Sequence, residues 1–183
     1  MIYSLRGKLI ETAENTVVVE CAGVGYLCST TRTTLNSLPQ KGTEVMLYTY
    51  MNVREGAVDL FGFSTLSEKN CFCRLTSVSG VGPKVALAIL SELKPDQLML
   101  ALVSQDVKSL TRAAGVGKKL AERILLELRD KVKNEELSEQ LQQVSQVADQ
   151  LSDGSGNVAE AVSALVVLGY SQSEAARAIA GQP

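Results

Sequence analysis

The sequence contains no histidine and no tryptophan, and its only aromatic residues are five tyrosines and three phenylalanines. Without histidine the chain cannot form a Ser-His-Asp triad, a Cys-His dyad, an HExxH zinc site or a two-cysteine, two-histidine zinc finger. So few aromatic side chains argue against a protein that stacks one base of a single strand after another. The hydrophobic fraction of 45% still provides enough apolar surface for a folded core.

Long apolar runs are also missing, since none approaches the roughly 18 residues that a membrane-spanning helix needs. The first residues, Met1 to Arg6, lack the features of a signal peptide. We therefore expect a cytoplasmic protein without membrane contact, whose four cysteines stay reduced. Cys71 and Cys73 would lie about 200° apart around a helix, which does not suit a shared metal ion. We interpret all four cysteines as small buried residues or unreactive thiols, and we expect no metal and no cofactor.

The charge is distributed unevenly along the chain. Residues 64–133 carry 12 basic and 7 acidic side chains, a net charge of +5. Residues 1–63 have a net charge of −1 and residues 134–183 a net charge of −6. The middle segment can therefore attract a polyanion, whereas the C-terminal segment should repel one. A solvated basic helix face would explain the same pattern.

The first third of the chain reads as β-structure. Five short segments alternate apolar and polar residues or are rich in β-branched residues, and turn residues separate them. This count predicts a five-stranded OB-like barrel, with another small β-sheet as the plain alternative. The predicted strands cover residues 2–10, 16–20, 25–30, 44–51 and 58–63.

From Ser64 to Lys133 the apolar spacing becomes helical, and Ser67 is the expected N-cap of the first helix. Residues 134–156 are polar and contain Ser152-Asp153-Gly154-Ser155-Gly156, which predicts a flexible linker. Two short amphipathic helices follow. The sequence thus predicts a multi-domain α+β protein with domains at residues 1–63, 64–133 and 157–183. The expected inward residues of the middle domain are Leu75, Val78, Val85, Ile89, Leu98, Leu102, Leu110, Leu120, Ile124 and Leu128.

An internal repeat lies within the basic segment. Residues 75–90 (LTSVSGVGPKVALAIL) and 110–125 (LTRAAGVGKKLAERIL) are identical at nine of 16 aligned positions, with an offset of 35. Each copy predicts a helix, a Gly-Val-Gly turn and a second helix. Gly23-Val24-Gly25 has the same letters but lies between predicted strands, so the tripeptide alone is weak evidence.

The repeated turn suits the binding of phosphate. The glycines can adopt backbone angles closed to other residues, and their missing side chains let a phosphate come close. Backbone N–H groups at the start of the following helix are then free to bind its oxygens. Such a site contacts the nucleic-acid backbone and carries little base information. The candidate DNA-binding residues are Gly80, Val81, Gly82, Lys84, Gly115, Val116, Gly117, Lys118, Lys119 and Arg123.

The paired turns resemble helix-hairpin-helix DNA-binding motifs, and the order of the three parts closely resembles the RuvA family. Members of that family are the Holliday-junction-binding subunits of the bacterial branch-migration machine. The resemblance runs from the opening strand through both hairpins to the helix end at Leu168-Gly169-Tyr170. The segment Val53-Arg54-Glu55-Gly56-Ala57, ahead of Leu60-Phe61-Gly62-Phe63, makes it specific.

The resemblance implies a non-catalytic DNA-binding subunit. It implies a flat homotetramer, or two paired tetramers, that holds a four-way junction open through its hairpins. It also implies that the C-terminal module, a small UBA-like helical unit, recruits the hexameric ATPase RuvB, with the resolvase RuvC as a further partner. In agreement, the sequence has no GxxxxGK[ST] nucleotide-binding loop. The implied docking residues for the motor are Leu165, Leu168 and Tyr170.

Two departures from the family pattern stand out. Glu55 corresponds to the first residue of an acidic pin that parts the strands at the crossover, but Gly56 stands where the family commonly has a second acid. Asp59 is nearby. The family's C-terminal module usually has three helices, whereas this sequence ends after the second, which implies a reduced or truncated module.

Three alternatives remain at the level of sequence. A DNA glycosylase or lyase would need a carboxylate or lysine in a base-sized pocket, and the candidate acid is Asp130, in the helix after the second hairpin. An interaction scaffold would use the C-terminal helices and bind DNA only incidentally. A sequence-nonspecific duplex binder would share the hairpins without preferring junctions.

Overall fold

The N-terminal part of the computed structural model is a closed five-stranded barrel. Its strands are β1 (Ser4–Ala13), β2 (Thr16–Cys21), β3 (Val24–Ser29), β4 (Glu44–Arg54) and β5 (Ala57–Phe63). Their order around the barrel is β1-β2-β3-β5-β4. The structure describes residues 1–129, 131–132, 161–162, 165–166 and 177–178. Neighbouring strands are antiparallel except β3 and β5, whose parallel pairing helps to close the barrel. The predicted OB-like barrel is confirmed.

The barrel interior follows from the alternation of side chains along each strand. Every second residue points inward, so Val17 and Val19 of β2 and Val45 and Leu47 of β4 are buried together. Cys28 of β3 belongs to the same core, and burial next to Cys21 raises the pKa of its thiol to about 12. A thiol with such a pKa stays protonated at neutral pH, as expected for an unreactive cysteine.

The helical part confirms the predicted helices, with two differences. The first helix of this part begins at Leu66 with Thr65 as its N-cap, so the prediction of Ser67 as the cap was wrong. A short helix within the barrel, α1 (Arg32–Ser37), was not predicted. The helices are α1 (Arg32–Ser37), α2 (Leu66–Thr76), α3 (Pro83–Glu92), α4 (Pro95–Ser104), α5 (Val107–Leu110) and α6 (118–129).

The expected inward face of this helical part is confirmed. Eight of the ten inward residues are buried, and the other two, Val85 and Leu120, are partly buried against the same core.

One apolar core joins the barrel to the helices. Phe61 and Phe63 of β5 reach Phe72 of α2, with ring centroids 5.1 Å and 4.9 Å apart. All three rings are buried, and burial of such a side chain contributes roughly 1.5–3 kcal/mol. Residues 1–130 accordingly form one compact unit, in which the helices are held against the barrel.

Residues 131–183 form a second unit. Residues 161–162, 165–166 and 177–178 of this unit are helical. The predicted linker at 134–156 lies outside the described residues, and the domain boundaries stay predictions. Within the described part of the chain, no helix is long and apolar enough to cross a membrane.

Candidate nucleic-acid interface

The two halves of the sequence repeat have the same backbone design. In the first hairpin the N–H of Val81 donates to the carbonyl of Val78 over 3.1 Å. In the second, the N–H of Val116 donates to the carbonyl of Ala113 over the same 3.1 Å. These residues are related by the offset of 35, so the repeat in sequence is a repeat in structure.

The first glycine of each turn is required by the backbone. Gly80 has a φ of +86° and Gly115 a φ of +83°, in the left-handed region that disfavours side chains. The second glycines differ from the expectation, because Gly82 has an ordinary φ of −84° and the φ of Gly117 is not left-handed either. A Cβ atom at either of these two positions would meet no atom within 4 Å. These two glycines therefore leave open surface at the start of the following helix.

The valines between the glycines point into the protein. Val81 is 5% exposed and Val116 is 6% exposed, and both belong to the helical core. Their side chains anchor the turns, so these predicted DNA-binding residues can meet a ligand only through backbone atoms.

The two hairpins pack against each other by the same contact made twice. A Cβ atom at Gly80 would lie 3.6 Å from Leu120 Cδ1 of α6, and one at Gly115 would lie 3.7 Å from Val85 Cγ2 of α3. Val85 and Leu120 are equivalent positions of the repeat. Each turn thus rests on the helix that follows the other turn, which places the two turns side by side.

Positive side chains surround these turns. Lys84 follows the first hairpin, Lys118 and Lys119 follow the second, and all three are exposed. Lys118 makes an exposed ion pair with Glu122 at 3.9 Å, a type of pair that contributes little and is easily exchanged for another anion. Arg123 is also exposed, and its Nη1 donates to the carbonyl oxygen of Ser79 over 3.3 Å. This hydrogen bond links α6, the helix that follows the second hairpin turn, to the first hairpin turn.

Backbone donors add to this positive surface. The N-cap of α3, Gly82, makes no side-chain hydrogen bond to the helix. The first N–H groups of a helix have no partner within it, and they carry the positive end of the helix dipole. Pro83 at the first helical position removes one donor that the helix would not have used. Two adjacent helix starts with lysines beside them can bind phosphate oxygens.

The barrel contributes a separate acidic feature. Glu55 and Gly56 form the exposed two-residue turn between β4 and β5, in which Arg54 pairs with Ala57. Gly56 has a φ of +75°, in the left-handed region that favours glycine, so this residue shapes the turn. Asp59 forms an ion pair with Arg54. The carboxylate of Glu55 is thus the exposed negative charge at the tip, while Arg54 offsets the charge of Asp59.

Comparison with known proteins decides the family. The chain is 46% identical over 179 residues to the Holliday junction branch migration complex subunit RuvA of Acetivibrio thermocellus, covering 98% of this chain and 88% of the relative. It is 42% identical to the subunit of the same name from Ruminiclostridium cellulolyticum, covering 99% and 90% of the two chains. The chain belongs to the RuvA family.

Three family models match successive parts of this RuvA-family chain. The RuvA N terminal domain matches residues 1–62, and the SAM-like helix-hairpin-helix tandem matches residues 72–130. The RuvA C-terminal domain matches residues 156–182. The matches agree with the predicted order of barrel, paired hairpins and C-terminal module.

The sequence of this RuvA-family member predicted the position of both hairpins, but the structure does not test all of the other predicted residues. Leu165, a predicted docking residue, is helical and half-buried. The other two, Leu168 and Tyr170, lie outside the described residues, as does Asp130, the acid considered for a repair enzyme.

Sequence reasoning also missed a cluster of hydroxyl groups around Glu68. The signal that could have drawn attention to Glu68 is the capping-box spacing Thr65-x-x-Glu68, although it predicts only a local contact.

Proposed function

We propose that this chain binds four-way DNA junctions through their phosphates and serves as the DNA-binding subunit of a branch-migration complex. The observation that carries the proposal is the pair of equivalent hairpins that lie side by side. In each of them the second glycine, Gly82 or Gly117, leaves open surface, and exposed lysines lie next to it. The names of the RuvA relatives support the choice of a four-way junction as the ligand.

The hairpins act by positioning a DNA arm. The helix starts at Gly82 and Gly117 offer N–H groups to phosphate oxygens, and Lys84, Lys118 and Lys119 add charge. Contacts of this kind read no base sequence, so one surface suits every arm of a junction whose sequence changes as it migrates. A homotetramer would present one such surface to each arm, and two tetramers would enclose the junction.

Glu55 acts in the opposite sense. An exposed carboxylate at the tip of a β-hairpin repels phosphates, and near the crossover it would favour separated strands over a stacked junction. Because Arg54 offsets Asp59, each subunit contributes one uncompensated negative charge at this tip. The pin of this chain is therefore weaker than one with two adjacent acids.

The chain itself supplies no catalysis in this proposal. The ATPase RuvB moves the DNA, and the C-terminal module docks it through Leu165, Leu168 and Tyr170. RuvC is a further partner. The match of residues 156–182 to the RuvA C-terminal domain supports this assignment.

The test is a salt titration of binding to a labelled four-way junction. Replacing Lys118 and Lys119 with glutamate should reduce affinity strongly and flatten the dependence of log Kd on log salt by about 0.9 for each lost phosphate contact. Lys41→Glu, which changes an exposed lysine of the barrel, is the matched control and should leave the slope nearly unchanged. Unchanged affinity of the double variant, with the fold intact by circular dichroism, would favour the interaction scaffold instead.

A further inference from the structure

A carboxylate lies fully buried at the junction of the barrel and the helical part. Glu68, in the first turn of α2, is 1% exposed. Its oxygens accept hydrogen bonds from the hydroxyls of Thr31, Thr34 and Ser64, with Oε2 lying 2.6 Å from Thr34 Oγ1 and 3.5 Å from Ser64 Oγ. Glutamate is rarely buried unless its polar atoms have partners, and here two of the three partners, Thr31 and Thr34, come from a distant part of the chain.

The threonines belong to α1, which connects β3 to β4 within the barrel. Thr31 is the N-cap of α1 and accepts from the N–H of Thr34 over 3.0 Å. Thr34 Oγ1 in turn accepts from the N–H of Ser64, the residue that follows β5, over 2.9 Å. The geometry of Glu68 is therefore fixed by groups that α1 itself holds in place.

The same helix also holds the far end of the first hairpin. Thr33 Oγ1 donates to the carbonyl of Leu90 over 2.8 Å, and the N–H of Arg32 donates to Ser91 Oγ over 3.0 Å. Leu90 and Ser91 lie near the end of α3, the helix that begins at Gly82. Helix α1 and its N-cap are thus hydrogen-bonded to the start of α2 and to the end of α3, the two helices on either side of the first hairpin turn.

Two kinds of contact join the barrel to the helices, and only one of them depends strongly on direction. The contacts of Phe61 and Phe63 with Phe72 are apolar, and such contacts hold surfaces together without strongly fixing their angle. Hydrogen bonds are directional and weaken steeply when misaligned. The bonds to Glu68 are therefore suited to setting the angle at which the helical part sits on the barrel.

We propose that Glu68 is a positioning residue that fixes the orientation of both hairpins relative to the barrel and so supports recognition of the four-way junction. This inference rests on the proposed function. A linear duplex can be held by the hairpins of one subunit, whereas a junction needs several surfaces aligned at once. Gains from simultaneous binding vanish when the geometry no longer permits it.

The experiment compares Glu68→Ala, Glu68→Gln and wild type for binding to a four-way junction and to a linear duplex at one salt concentration. We expect Glu68→Ala to weaken junction binding by about tenfold or more while duplex binding stays within about threefold. Glu68→Gln keeps the shape and one acceptor, and a hydroxyl can turn to accept from its amide, so it should recover much of the loss. Equal losses for both ligands, or no loss for either, would overturn the proposal.

A second pair of variants keeps the test decisive if Glu68→Ala does not fold. Thr34→Val removes the hydroxyl and keeps the branched shape, whereas Thr34→Ser keeps the hydroxyl. The junction preference should fall in Thr34→Val and persist in Thr34→Ser. Equal preferences in the two variants would contradict the assignment.

A readout without DNA separates this proposal from the proposed function. Glu11 in the barrel and Leu126 in α6 are both exposed, and each can be replaced with an unnatural amino acid whose ketone group is coupled to a spin label. The distance between the two labels reports how α6 is placed relative to the barrel. Labelled subunits are diluted with unlabelled ones so that only distances within one subunit are measured. A broader distance distribution in Glu68→Ala than in wild type would support the positioning role even if wild type did not prefer junctions. An unchanged distribution would overturn the positioning role while leaving junction binding intact.

Discussion

Alanine at Gly82 should separate DNA binding from folding. The backbone of Gly82 has a φ of −84°, which alanine adopts freely, and the new Cβ would meet no atom within 4 Å. Alanine makes the unfolded chain less flexible than glycine does, which raises the free energy of unfolding of the variant by roughly 0.4–1 kcal/mol. Alanine is a poorer N-cap than glycine, which opposes this gain by a similar amount. We therefore expect the free energy of unfolding to change by less than about 1 kcal/mol.

The same methyl group should weaken binding to DNA. In the proposed binding mode it would occupy the space through which a phosphate oxygen reaches the first N–H groups of α3. A hydrogen bond to a charged group contributes about 1.5–3 kcal/mol, so the loss of one such bond corresponds to roughly tenfold or more in Kd. Gly117→Ala should behave alike at the second hairpin, since its Cβ would also meet open space.

The first glycine of the turn supplies the contrast. Gly80→Ala places a side chain at a φ of +86° and should destabilise the fold by about 1–2 kcal/mol. Gly23→Ala is the matched control, because Gly23 has a φ of +83° and lies in the turn between β2 and β3. It should cause a similar loss of stability without affecting DNA affinity.

Urea unfolding and fluorescence anisotropy with a labelled junction measure the two effects on the same samples. The expected result is near-normal stability with weaker binding for Gly82→Ala, and lower stability with normal binding for Gly23→Ala. Wild-type affinity in both Gly82→Ala and Gly117→Ala would refute the idea that phosphates approach the backbone at these turns.

The remaining predictions concern the pin, the shared core and a helix cap. Glu55→Gln should tighten junction binding in competition assays because it removes a charge that repels phosphates, whereas Glu11→Gln, the same change on the exposed face of β1, should have little effect. Phe72→Ala should lower the free energy of unfolding by about 3–5 kcal/mol in urea titrations, since the buried ring joins barrel and helices. Hydrogen bonds from Ser109, above all from its hydroxyl, lower the pKa of Asp106, the N-cap of α5. The stabilisation from Asp106 is therefore present above its ordinary pKa of 3.8 and is lost as pH falls through the lowered value, and Asp106→Asn should remove this part of the acid dependence of the urea midpoint.

Local patterns in the sequence were enough to predict the barrel strands and the repeat. Alternating residues such as Val17 and Val19 report burial on one face, and the offset of 35 exposes the paired hairpins directly. Helix α1 escaped prediction because its sequence, RTTLNS, contains one leucine and two β-branched threonines, which favour helix only weakly. Its helical form depends on caps and on contacts with α2 and α3.

The functional surface was predictable only in part. Gly-Val-Gly indicated a turn, but the inward direction of Val81 and Val116 depends on the core that forms beneath it. Glu68 reads locally as the end of a capping box, yet its carboxylate binds hydroxyls of Thr31 and Thr34, which are 37 and 34 residues away in the sequence. No short-range pattern reports contacts of that separation.

The most direct test of junction recognition is competition at one stated salt concentration between a labelled four-way junction and linear duplex of the same sequences and phosphate count. The account predicts that the junction is preferred by about a hundredfold or more, because several hairpin surfaces bind at once. Equal affinity for the two ligands would contradict it and would leave a protein that binds duplex phosphates without reading the crossed geometry.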